Sequence, residues 1–421
     1  MTSSMLYIFY ENQLVGTLSR DEDLVYSFIY EDSWIASPQR FPLSLAMPLT
    51  QKRFGNRVTL SFFENLLPEG ELREKLEKDH DIHGTFDFLK EFGQDSAGAI
   101  IITSDKKFDY KFSESELVQV DIENIYSAIR KRKSVADVIA GMNPGYLSLA
   151  GAQDKFPAVF KDRQFYLPTR GGPTTHIVKT PIQREGIKES VYNEYFCMEL
   201  ARRVGFRIPS CEIMEGEYPL FIIERYDRFS DSKGQVHRIH QQDFCQAQGI
   251  TSEFKYEAKG GPSFKANYEV ILNNISITKR MQNLEELMNW LCFNLLIGNN
   301  DSHSKNISIL LKNGKNELAP FYDLLSTVMY DSLKKQFSFK IGDKDKFSEI
   351  GINQFHLLEK ELGVKENTLV QRMRQVRDRV MEAKEEVVSE VLAQYPKAKI
   401  SRRISELVEK RSKGLRQQGL L

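Results

Sequence analysis

The chain has 421 residues, 41% hydrophobic and 28% charged, with fifty-eight basic residues balancing fifty-eight acidic ones. This length supports two or three domains with a sizeable core, and zero net charge argues against a surface given over to nucleic acid while leaving room for a local basic patch. Cys197, Cys211, Cys245 and Cys292 lack zinc-type spacing and read as reduced core residues of a cytoplasmic protein. With no basic n-region at the start and no window approaching ~20 apolar residues, secretion and membrane insertion are not expected.

Residues 5–30 alternate apolar and polar side chains around an Asn-Gln-Leu-Val-Gly break, which predicts short antiparallel strands. Leu60-Ser-Phe-Phe-Glu-Asn-Leu-Leu-Pro68 predicts a helix start ending at proline, residues 71–92 predict a helix, and residues 97–103 predict a buried strand. His80 and His83 lack a third ligand of suitable spacing and read as a solvated helix end. Residues 1–110 thus form a small α+β subdomain. Residues 111–145 form a connection, charged up to Glu116 and helix-like from Val118 to Ile139.

A domain over 146–245 opens with Tyr146-Leu-Ser-Leu-Ala-Gly-Ala-Gln-Asp-Lys155, a small-residue loop whose backbone N–H groups could approach an anion, with Lys155 adding charge. The loop matches neither common phosphate-binding pattern, so composition by itself favours a plain hairpin. Lys179 closes the strand-like Thr175-His-Ile-Val-Lys, as does the phosphate-binding lysine of protein kinases, or as does an ordinary edge residue. In the following helix Glu194 faces the buried side and needs a cationic partner, for which Lys179 is the candidate. Phe221-Ile-Ile-Glu-Arg-Tyr-Asp-Arg228 turns from apolar to polar, as a hinge with adenine-binding backbone would, or as an edge strand would.

Residues 246–421 are predicted to be mostly helical, over 266–277, 283–297, 350–363 and 365–394. Within them the apolar run Trp290–Ile297 stops at Gly298 and releases Asn-Asn-Asp-Ser-His-Ser-Lys-Asn306. Asp301 and Asn306 have the Asp-x-x-x-x-Asn spacing of a kinase catalytic loop, in which the Asp accepts the proton of the attacking hydroxyl and the Asn holds magnesium. Asp323, after a predicted hairpin, stands where kinases place their second metal ligand. The end, Lys397 to Arg416, has eight basic and two acidic residues. It reads as a nucleic-acid or partner contact or as an ordinary exposed helix.

The motifs Ser-Leu-Ala-Gly-Ala-Gln-Asp-Lys, Thr-Thr-His-Ile-Val-Lys, Asn-Glu-Tyr, Glu-Arg-Tyr-Asp-Arg, Lys-Tyr-Glu with Gly-Gly-Pro, and Asp-Ser-His-Ser-Lys-Asn with Phe-Tyr-Asp occur in that order. With Asn-Leu-Leu-Pro and Gly-Gln-Asp-Ser-Ala-Gly-Ala in front, the sequence resembles the HipA family of bacterial toxin kinases over almost its whole length. The resemblance implies an α+β, two-lobed protein-kinase-like fold with a small N-terminal α+β subdomain and a mostly helical C-terminal lobe. It implies a serine/threonine kinase that uses ATP and magnesium, restrained by a small helix-turn-helix antitoxin through which operator DNA is reached. It also implies an aminoacyl-tRNA synthetase as substrate, glutamyl-tRNA synthetase foremost, with translation blocked and growth arrested in a persistent state.

Carried over by motif, Asp301 is the base and Asn306 and Asp323 hold magnesium. Ala150, Gly151, Ala152, Gln153, Asp154 and Lys155 form the nucleotide loop and Lys179 binds phosphate. Glu224, Arg225 and Tyr226 form the adenine hinge, and His303, Lys305 and Tyr322 complete the nucleotide site. Glu194 supports it, and Ser148 is the autophosphorylation site that inactivates the enzyme. A small-molecule or lipid kinase, or a co-repressor without kinase activity, would be built on the same lobes.

Overall fold

The computed structural model describes residues 4–109, 117–143, 145–146, 150–169 and 171–421. The chain forms two compact units, one of residues 1–180, 214–252 and 309–314, the other of residues 181–213, 253–308 and 315–421. The front segment and residues 146–180, on either side of the divisions expected at 110 and 146, lie in the same unit.

The first unit contains an antiparallel sheet in the order Arg53–Phe54, Tyr26–Tyr30, Gln13–Arg20, Ser4–Tyr10, Ile100–Thr103. Alternation puts Leu6, Ile8, Leu18 and Phe28 on its buried face, against Trp34, Phe62, Phe63 and Phe88. Gly16 has no room for a side chain, since a Cβ would lie 2.4 Å from the Phe28 ring and 2.5 Å from Ile29 O. Helices Asn56–Glu64, Gly70–Asp79 and Gly84–Phe92 cover this core. The single helix expected over 71–92 is two, because the chain passes through left-handed conformations at Asp81 (φ +53°) and Gly84 (φ +80°).

A second sheet in this unit runs in the order Leu220–Glu224, His176–Lys179, Lys155–Lys161, Gln164–Pro168, Leu117–Val120. Its core, including Phe156, Phe165, Val178 and Ile222, is distinct from the first. The helix expected from Val118 begins later. Leu117-Val-Gln-Val120 carries two β-branched residues and pairs with Gln164–Pro168. Only after it does Asp121 cap the helix Ile122–Arg130, its carboxylate accepting from Glu123 N at 2.9 Å.

The second unit is mainly helical. Ile277–Ile297 packs against Phe264–Asn274, Thr368–Gln394 and Ile400–Gln417, and Ser190–Arg203 packs against the last two. Ile277–Ile297 ends at Gly298 in the left-handed conformation (φ +73°), where its N–H bonds back to Asn294 O. A Cβ at Gly298 would also lie 2.4 Å from Val328, so this stop needs glycine twice over. The basic tail is the amphipathic helix Ile400–Gln417, with Ile404, Val408 and Leu415 buried. Arg411 is not part of its solvated face. It donates to Leu295 O at 2.6 Å, lies over the Phe347 ring, and is lowered by burial to a pKa of about 10. No helix among the described residues is long and apolar enough to cross a membrane. The four cysteines form no disulfide, and Cys211 is half-buried rather than in the core.

Candidate active site

The loop leaving Ile277–Ile297 is held by its own asparagines. Asn299 Oδ1 accepts from Asp301 N at 3.1 Å, while Asn299 Nδ2 donates to Asn294 Oδ1 at 2.8 Å and to Asp323 O at 3.4 Å. One buried side chain thus ties the helix end, the Asp301 loop and the Asp323 backbone together. Asn300 accepts from Ser338 Oγ through its carbonyl at 2.8 Å and donates from its amide to Lys334 O at 3.1 Å. Asn306 Nδ2 donates to Asp301 O at 3.0 Å, closing the five-residue turn between the two predicted site residues. Asp323 is half-buried and left-handed (φ +57°), a conformation costly for a residue with a Cβ and concentrated at functional sites.

His303 and Lys305 are buried, and Lys305 O accepts from Tyr322 Oη at 2.8 Å. Asn193, beside Glu194 in the helix Ser190–Arg203, exchanges bonds with Ser326, donating to its O at 3.0 Å and accepting from its N at 2.7 Å. Glu194 itself is buried within the second unit. Asn193, Asn299 and Asn300 fix the frame and were not expected as site residues. Their signal was weak, since asparagine is common in any loop.

Sequence reasoning also missed Tyr256, whose hydroxyl donates to Asp301 Oδ1 at 2.5 Å.

In the first unit, Gly151 is left-handed (φ +108°), and Glu69 N donates to its carbonyl at 3.1 Å beside a parallel bridge between Pro68 and Gly151. Gln153 Nε2 donates to Thr180 O at 3.0 Å. Ala150 and Ala152 are half-buried and exposed respectively. Lys155 and Lys179 are directly opposite each other in antiparallel register, so both side chains leave the same face of the sheet. Ser148 lies outside the described residues.

Asp154 does not present its carboxylate as a nucleotide ligand. The group accepts from Ser134 Oγ at 2.8 Å, Val135 N at 2.7 Å and Ala136 N at 3.1 Å, satisfying the first turn of the helix Val135–Met142. Burial raises its pKa against these bonds. Asp154→Ala is expected to cost about 1–3 kcal/mol by leaving those donors unsatisfied, read as a lower urea midpoint.

The family model of the HipA-like C-terminal domain matches residues 147–384, and that of the HipA N-terminal domain matches residues 6–103. The chain belongs to the HipA family. Y4mE of Sinorhizobium fredii is 35% identical over 373 residues, covering 86% of this chain and 87% of that protein. The serine/threonine-protein kinase toxin HipA of Shewanella oneidensis is 29% identical over 388 residues, covering 89% and 87%. A solved structure of the Shewanella oneidensis toxin–antitoxin system, HipA and HipB with their operator DNA, matches with a TM-score of 0.82 and 25% identity, covering 97% of each chain. The mixed helix-and-sheet fold is that of HipA, in a family of kinase toxins.

In this HipA-family chain, Glu-Arg-Tyr-Asp-Arg is a structural motif first. Arg225 is buried and spends its guanidinium on Asp227 (3.0 Å), Asp95 (3.0 Å) and Ser96 O (2.9 Å), and its N–H bonds to Thr175 O at 2.9 Å. Neither donor remains for an adenine. Arg228 and Arg238 reach Asp95 Oδ1 at 2.9 and 3.0 Å, and Gly98 N donates to Asp227 at 2.7 Å. Burial opposes charge on Asp95 and Asp227, but the surrounding arginines hold both carboxyls below the usual carboxylate range. Gly-Gln-Asp-Ser-Ala-Gly-Ala and Glu-Arg-Tyr-Asp-Arg thus meet in one buried network between the two cores of the unit. Glu224 is exposed at the end of its strand, opposite His176, and Tyr226 Oη donates to Gln241 at 2.6 Å.

Proposed function

We propose that this HipA-family chain is a magnesium-dependent serine/threonine protein kinase that takes ATP and acts as the toxin of a toxin–antitoxin pair. The observation that carries this reading is the frame within the second unit that holds Asp301, Asn306 and Asp323 through Asn299 and the Asn306–Asp301 bond. Asp301, half-buried, would accept the proton of a serine or threonine hydroxyl as it attacks phosphorus. The Asn306 nitrogen is engaged with Asp301 O, which leaves its amide oxygen as the ligand end. With the Asp323 carboxylate this makes a hard, oxygen-only set that suits Mg²⁺ shared with substrate phosphates. Bound there, the ion would neutralise charge developing on the transferred group. Lys155 and Lys179, which leave the same face of the sheet from paired positions, are assigned to the phosphates.

Asp323→Asn is expected to weaken magnesium-dependent nucleotide binding, because one carboxylate charge on the metal is lost. Titration of ATP with and without Mg²⁺ checks this, and an unchanged magnesium requirement would remove Asp323 from the metal.

The Shewanella oneidensis structure, which contains HipB and operator DNA, supports an antitoxin partner and an association with DNA; the partner proposed here is a small helix-turn-helix protein through which the DNA is reached. An aminoacyl-tRNA synthetase, glutamyl-tRNA synthetase foremost, is the proposed cytoplasmic substrate. Its phosphorylation would block translation and produce persistence, and autophosphorylation at Ser148 would end the activity. The test is expression with and without the antitoxin in cells, scored for growth arrest and for new phosphoserine or phosphothreonine in synthetases. Growth arrest without new phosphoprotein, or label confined to small molecules, overturns the protein-kinase reading.

A further inference from the structure

Residues 255–262, Lys-Tyr-Glu-Ala-Lys-Gly-Gly-Pro, supply none of the proposed metal or phosphate ligands, yet they build a rigid support beside Asp301. The Tyr256 carbonyl accepts from Lys259 N and Gly261 N, each at 3.0 Å. Gly261 can carry no side chain there, because a Cβ would lie 1.7 Å from Phe254 O. Glu257 accepts from Lys340 N at 2.9 Å, fixing the next residue as well. The Tyr256 ring has Lys334 Nζ at 4.2 Å and Lys255 Nζ at 5.4 Å from its centroid, with the His303 ring edge-on at 5.1 Å. Cations over the ring and an imidazole at its side hold its plane.

The hydroxyl so placed donates to Asp301 Oδ1 at 2.5 Å. The terminal torsion of an aspartate is otherwise broad and nearly two-fold, so an unpinned carboxylate offers either oxygen in many orientations. A general base works only within hydrogen-bond reach of the proton it takes, and small misplacements are costly.

We propose that Tyr256 is a positioning residue for phosphoryl transfer, pinning Oδ1 of Asp301 so that Oδ2 is presented to the acceptor hydroxyl. The proposal rests on Asp301 being the base. It gives the Lys-Tyr-Glu…Gly-Gly-Pro segment a reason for both its tyrosine and its glycines: the turn sets the ring, and the ring sets the carboxylate.

The experiment compares the full chain, Tyr256→Phe, Asp301→Asn and the double variant for the rate of autophosphorylation from labelled ATP and magnesium, and for the half-saturating ATP concentration. Tyr256→Phe keeps the ring contacts and removes only the donor. Its maximal rate is expected to fall about ten-fold with the half-saturating ATP unchanged, a loss shrinking to under about two-fold in the Asp301→Asn background, since the hydroxyl acts through that carboxylate. An equal loss in both backgrounds, no loss at all, or a loss confined to ATP affinity overturns the proposal. So does phosphate mapped to Tyr256, which would make its hydroxyl an acceptor. If Asp301→Asn is impaired and Tyr256→Phe is not, the proposal alone fails. If Asp301→Asn is unimpaired, or the unmodified chain transfers no phosphate, the base assignment fails with it.

Discussion

Asp301→Asn is expected to lower phosphoryl transfer by about 10²–10⁴-fold, the range that a positioned general base supplies, while magnesium-dependent ATP affinity stays nearly unchanged. The amide is close in size to the carboxylate, and the contacts that organise the loop use backbone or neighbouring groups: Asp301 N to Asn299, Asp301 O to Asn306. The metal ligands therefore keep their frame while the proton acceptor is lost. Initial rates of label transfer and calorimetric titration of ATP separate the two quantities. Equal loss of nucleotide affinity would mean that Asp301 serves the metal, and the division of roles with Asp323 would fall.

The largest stability effect is expected at Asp95, far along the sequence from any proposed catalytic group. Its two oxygens accept from Arg225, Arg228, Arg238, Thr174 N and Thr174 Oγ1, and no part of the residue is exposed. Asp95→Ala leaves buried guanidinium groups without their counter-charge, and removing one partner of such a set costs about 3–5 kcal/mol. Against a total of about 5–15 kcal/mol for a folded domain, that change threatens folding of the first unit. Urea denaturation of the variant measures it, and a midpoint unchanged from the parent would sink the prediction.

The pH dependence has a definite sign. Asp95 and Asp227 have folded-state pKa values below their ordinary ones, so their contribution is present above the unfolded carboxylate pKa of roughly 4 and is lost as pH falls from there through the depressed values. Acid unfolding below this point should be less steep in Asp95→Asn than in the parent, because the variant has no proton to bind at that position.

Much of the candidate site was legible because it depends on local chemistry. The Gly298 helix stop, the five-residue interval between Asp301 and Asn306, and Asp323 after the Asn313-Gly314 turn are short-range patterns, and the chain near them can adopt few other conformations. Lys155 and Lys179 were each ambiguous as single residues. Their pairing across two strands is a matter of register, which the twenty-three residues between them do not state.

What the sequence alone determined was the order of motifs, the family they belong to, and the elements whose periodicity was unmixed: the front strands and the helices between residues 264 and 394. Only the tertiary structure decided what the polar motifs do. Glu-Arg-Tyr-Asp-Arg looks like a hinge until Asp95, 130 positions from Arg225, is found beside it. Asp154 looks like a ligand until the first turn of Val135–Met142 is seen to take its carboxylate. Arg411 counts as tail charge until it is found donating to Leu295 O. The physical reason is the same in each case. A charged side chain is recognised in sequence by its type, but its role depends on its hydrogen-bond partner, and a buried charge must find one wherever the fold brings it.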